Sequence, residues 1–123
     1  MADNKFVAIL AIVNQGFSDN VMEAAREHGA RGGTVINARG TAKAEAESKY
    51  NIVIHPEKEI IIILAKEEIK DNILHAIYKE VGLNTPGQGI AFALPVDEVV
   101  GIAGKKVVKE IKKEANIDEE GNK

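Results

Sequence analysis

The chain has no cysteine and no tryptophan, and aromatic residues make up only 4% of it. Without thiols there is no disulfide framework and no thiolate metal site, which fits a reducing compartment and makes the cytoplasm the expected location. So few rings leave little to stack on bases. A net charge of −3 provides no basic stripe for a phosphate backbone, so nucleic acid is not an expected partner. Long apolar runs are missing too. Phe6–Val13 has eight residues, far below the roughly 20 needed to cross a bilayer. It follows a start that carries an acid, Asp3, and no small-residue cleavage site comes after it. It therefore reads as a buried strand, not a leader, and no direct membrane insertion is expected. There is no Gly-x-Ser-x-Gly elbow, no cysteine nucleophile and no Gly-Lys-Ser/Thr phosphate loop. The carboxylates lie on helix faces and in the tail, where nothing raises their pKa for acid–base work, so an enzyme is not expected.

What is present suits one domain: 123 residues, 45% of them hydrophobic. Lys5–Val13 is β-branched and continuously apolar, a strand covered on at least one face. Ser18 is placed to cap a helix whose apolar face is Val21, Ala24, Ala25 and His28, and Gly29 ends it. Thr34–Ala38 is a second strand, closed by Arg39 and Gly40. Thr41–Lys49 holds no large apolar residue and reads as an exposed loop. Tyr50–Ile54 has strand character, and Glu59–Ala65 is the clearest strand in the chain. Ile69, Ile73, Ile77 and Val81 recur every four residues, so Glu67–Val81 is a helix, with Leu74 and Tyr78 beside that stripe and Gly82 as its cap. Ile90–Leu94 is a further strand after the turn-rich Leu83–Gly89, and Val99–Ile102 has the composition of a short fifth.

Two strand–helix–strand units in series predict an α+β, ferredoxin-like βαββαβ fold: a four-stranded antiparallel sheet with both helices on one face. The strands are apolar on both faces, so the second face needs another subunit to cover it. Residues 1–104 form this domain. Residues 105–123 form a C-terminal helix or tail, with Val107, Val108, Ile111 and Ala115 on one helical face and a disordered end from Asp118.

Three segments carry a family resemblance: Gly29–Gly40, with Gly33-Thr34-Val35 after the helix-ending glycine; the charged stretch ending at Tyr50 and Pro56 before the isoleucine strand; and Pro86-Gly87-Gln88-Gly89-Ile90 entering a strand. In order and spacing they resemble the PII (nitrogen regulatory) family. The resemblance implies a homotrimer that binds an adenine nucleotide (ATP, ADP, AMP or a cyclic nucleotide) in clefts between subunits. It also implies control of a partner protein, a membrane transporter or a metabolic enzyme, through the Thr41–Tyr50 loop, the family's T-loop. Carried over by position, Ile12 would pack on the adenine, Thr34 would bond its edge and Ile63 would line the same pocket. Gly32 would contribute to that site, and Arg39 and Gly40 would sit at the T-loop base. Gly87, Gln88 and Gly89 would offer backbone N–H groups to phosphate oxygens, and Ile90 follows them.

The chain also departs from that family. A lysine ordinarily follows the second glycine, where Ile90 stands, and two arginines ordinarily stand at the positions of Gly101 and Ala103. The expected nucleotide is therefore open between ATP and less charged forms, with Lys105 and Lys106 as nearby cations. The T-loop is shorter than in typical members, which places Tyr50, at the spacing of a modified tyrosine, close to the strand. Two other readings compete. One is a metal-responsive trimer similar to CutA, motivated by His55, which has no second ligand at a chelating spacing. The other is a small-molecule enzyme of the dimeric α+β barrel type, which needs polar groups in an inward-facing cleft that these apolar strands do not supply.

Overall fold

A computed structural model describes residues 5–41 and 56–101. The elements are β1 (Phe6–Asn14), α1 (Ser18–Arg26), β2 (Thr34–Arg39), β3 (Glu57–Lys66), a single 3₁₀ turn at Glu67–Ile69, α2 (Lys70–Val81) and β4 (Gly89–Val96). The strands form one sheet in the order β2-β3-β1-β4, with every neighbour antiparallel. This is the ferredoxin-like α+β arrangement expected. The Tyr50–Ile54 strand, nearly all of the Thr41–Lys49 loop, His55 and the tail from Ile102 lie outside the described residues.

The alternation of side chains along a strand divides the apolar residues between two faces. Val7, Ile9, Ala11 and Val13 of β1 and Ile61, Ile63 and Ala65 of β3 are buried beneath the helices. Val21, Met22, Ala24 and Ala25 of α1 meet Ile73, Ile77 and Val81 of α2 above them, closing one core. The four-residue spacing in α2 is what turns those side chains to a single side. Tyr78, beside that stripe, is exposed. His28 is also exposed, contrary to the expectation that it shares the apolar face of α1: the helix ends at Arg26, and His28 lies in the turn beyond.

That turn is a Schellman closure. Gly29 N–H donates to Arg26 O and Ala30 N–H to Ala25 O, with Gly29 at φ +106°. Gly82, at φ +74°, ends α2, its N–H and that of Leu83 both donating to Tyr78 O. The N-terminus of α1 differs from expectation. Phe17 occupies the cap position and no side chain caps the helix. The turn from Asn14 brings the chain in so that Phe17 O accepts the Val21 N–H, which makes Ser18 the first helical residue. Val99–Gly101 forms no strand; among the described residues β4 pairs with β1 alone, and that ladder ends at Phe6 opposite Val96.

The second face of the sheet is apolar in register. Ile36, Ile60, Ile12 and Ile90 stand side by side across all four strands. Next to them run Thr34, Ile62, Leu10 and Phe92, and then Leu64, Ala8 and Leu94. Among the described residues no helix covers this face. Ile36, Leu64, Ile90, Phe92 and Leu94 are exposed on it, Ile90 at 56%.

Candidate functional site

The candidate site lies where β1 ends and β4 begins. After α2, Thr85-Pro86-Gly87-Gln88 makes a turn closed by Gln88 N–H to Thr85 O at 3.1 Å. Proline in its second position and Gly87 at φ +86° in its third are the signature of a type II turn. Gln88 is anchored by its side chain, whose Nε2 donates to Val81 O at 2.9 Å. The chain then enters β4 through Gly89 at φ +143°, where a Cβ would collide with the carbonyl oxygen of Ile12. Only glycine lets the loop lie this close to β1.

Asn14, at the last position of β1, ties this loop to the rest of the sheet. It is 8% exposed, the one buried polar residue among those described. Its Nδ2 donates to Gly87 O at 3.1 Å and lies 3.5 Å from Gln88 Oε1. Its Oδ1 accepts from Lys58 Nζ at 2.6 Å. The stem of Lys58 passes over Gly40, where a Cβ would meet Lys58 Cε at 2.9 Å. Gly40 N–H in turn donates to Pro56 O at 2.6 Å. A polar bridge thus runs along one end of the sheet from Gly40 through Lys58 and Asn14 to Gly87. Beside it opens a cleft of about 410 Å³ lined by Asn14, Gln15, Phe17, Glu57, Pro86, Gly87 and Gln88. Gln15 N–H donates to Glu57 O at 3.1 Å and Gly16 N–H to Glu59 Oε1 at 3.2 Å, fixing the turn that forms its wall.

The expected site residues fall into separate groups. Gly87, Gln88 and Gly89 are on the loop, and Arg39 and Gly40 are at the same end of the sheet but on the far edge strand. Three strand spacings, roughly 14 Å, separate β2 from β4. Ile12 and Ile90 are neighbours on the uncovered face, and Thr34 lies on that face one row further along. Gly32 precedes β2, with nothing within 4 Å of where its Cβ would stand. Ile63 does not join them. It is 0% exposed in the helix-covered core, paired with Ile9, and so faces away from Ile12. Nor does the loop offer all three N–H groups, because that of Gln88 is spent on Thr85.

Asn14 and Lys58 were not anticipated. The only hint in the sequence is a polar residue ending each flanking strand: an amide after the run Phe6–Val13 and a lysine before Ile60.

For a triphosphate these residues do not fit. Among the described residues of the cleft lining Glu57 is the only ionisable one, and Lys58 is turned to Asn14. Ile90 and Gly101 bring no charge, and Ala103 lies outside the described residues. Arg39 stands across the ladder from Glu57. Nor, among the described residues, is any group of three or more histidines and carboxylates placed to hold a metal ion.

Comparison with known proteins agrees with the topology. The model of the family described as nitrogen regulatory protein P-II matches residues 6–106. The chain is also similar to the crystal structure of Arabidopsis thaliana PII bound to citrate, at 27% identity and a TM-score of 0.64, over 87% of this chain and 93% of that one. These findings do not favour the CutA-like alternative. The sheet order, the two helices on one face and a family match over most of the chain agree: this protein belongs to the nitrogen regulatory protein P-II family of regulators.

Proposed function

We propose that the protein is a cytoplasmic signal-transduction regulator that works by binding. Three copies associate through the uncovered sheet faces, an adenine nucleotide binds in the clefts between them, and the Thr41–Tyr50 loop passes the signal to a transporter or a metabolic enzyme. One observation carries this reading. The face bearing Ile36, Ile60, Ile12 and Ile90 is apolar across all four strands and has no helix over it among the described residues. Water contact on such a face is unfavourable by about 25 cal/mol for each Å² of apolar surface, and a closed ring of copies removes it without leaving an open edge. The separation of Arg39 and Gly40 from Gly87–Gly89 supports the same arrangement, since a neighbouring copy can bring an opposite edge strand to each loop.

Sedimentation equilibrium and calorimetry test it together. The expected result is a mass of three chains and saturable heat with at least one of adenosine, AMP, ADP, ATP or cyclic AMP. A monodisperse single chain would refute the assembly, and no heat with any of these ligands would remove the nucleotide.

A further inference from the structure

The cleft is a poor place for a highly charged anion, and this bears on which nucleotide it takes. We infer that the cleft at Asn14, Glu57, Gly87 and Gln88 selects a nucleoside or nucleoside monophosphate and rejects the triphosphate, an inference that rests on the nucleotide-binding reading above.

Four features on three elements point the same way. Glu57 is the one ionisable residue among the described residues of the lining, and a carboxylate near a bound anion disfavours it. The Gln88 N–H, one of the donors a phosphate would use, closes the turn to Thr85 instead. The Gly87 carbonyl, on the same loop, accepts from Asn14 Nδ2 and so occupies a donor that a phosphate could otherwise use. Ile90, the first residue past the loop, carries no charge and points to the uncovered face opposite Ile12. Each charge-assisted contact that a phosphate fails to find is worth roughly tenfold or more in affinity. By contrast, Gln15 and Phe17 in the lining bring a side-chain amide and an aromatic ring, groups that suit a neutral, flat, hydrogen-bonding ligand. Arg39, across the ladder from Glu57 without an ion pair between them, offsets part of the carboxylate field and leaves the rest.

The test is calorimetry of the full chain with adenosine, AMP and ATP, each in EDTA and in magnesium chloride, repeated on Glu57→Gln. The inference expects adenosine or AMP to bind at least tenfold more tightly than ATP in both buffers. It also expects Glu57→Gln to narrow that ratio by about threefold or more, chiefly through a gain for ATP. ATP binding as tightly as AMP, in either buffer, would overturn the selectivity while leaving nucleotide binding intact. A ratio unchanged in Glu57→Gln would overturn the part given to that carboxylate. Heat from none of the three would sink the underlying reading instead, so the two failures are distinct.

Discussion

Gly89→Ala tests the closest approach in the site. Gly89 sits at φ +143°, where residues with a side chain are strained by about 1–3 kcal/mol. Its new Cβ would also collide with the carbonyl oxygen of Ile12 and come within 3.1 Å of Val13 Cα. Both are backbone atoms of a central strand, so no side chain can swing aside, and forcing β4 outward costs about 1–3 kcal/mol more. The expected loss is therefore about 2–6 kcal/mol, or roughly 10–20 °C in melting temperature for a chain of this size. Gly32→Ala is the matched control: a Cβ there meets nothing within 4 Å and the backbone is not in the left-handed region, so a change of about 0.5 kcal/mol or less is expected. Melting followed by circular dichroism, at equal chain concentration because assembly shifts the midpoint, separates the two. If Gly89→Ala melts within about 2 °C of the parent protein, or Gly32→Ala falls as far, the close packing of the loop on β1 is wrong.

Two other changes probe the core and the bridge. Ile77→Ala removes a side chain with no exposure, packed between α2 and the sheet, and should cost about 2–5 kcal/mol in urea unfolding; a loss below about 1 kcal/mol would contradict that packing. Asn14→Ala strips the bridge of both its bonds, to Gly87 O and from Lys58 Nζ. It should cost about 1–3 kcal/mol and raise amide hydrogen exchange at Gly87–Gly89, whereas unchanged exchange there would show that Asn14 does not hold the loop.

The sequence was most readable where one periodicity had one cause. Ile69, Ile73, Ile77 and Val81 declared the second helix because only one side of it meets the sheet. The strands were found, but not their faces. A run of four isoleucines from Ile60 to Ile63 has no alternation, so nothing local shows that Ile61 and Ile63 point to the helices while Ile60 and Ile62 point away. Carry-over by position from the family puts Ile63 beside Ile12, and nothing in the run itself contradicts it. The ends of β3 were missed for the opposite reason: Glu57, Lys58 and Lys66 are charged, yet each has a ladder partner. Val99 and Val100 look like a strand by composition, but the β1–β4 ladder ends at Val96 and no described strand lies beside them. Asn14 and Lys58 are 44 residues apart, and their contact depends on the register of β1 against β3, which no short motif encodes.

The bridge also limits how a ligand can use Lys58. Lys58 Nζ is 2.6 Å from Asn14 Oδ1, and Asn14 is nearly buried. A phosphate that pulled the ammonium out of reach of Asn14 would leave that amide oxygen without its lysine donor, and a buried polar group left unsatisfied costs about 1–3 kcal/mol. A fully ionised phosphate offers only acceptors, so it cannot repair the loss. A ribose hydroxyl or an exocyclic amine can donate to Asn14 Oδ1 while a neighbouring acceptor takes the lysine. Displacing Lys58 from Asn14 therefore favours a ligand that carries donor and acceptor side by side, whereas an anion that reaches one of the ammonium's two other N–H groups leaves the bond to Asn14 in place.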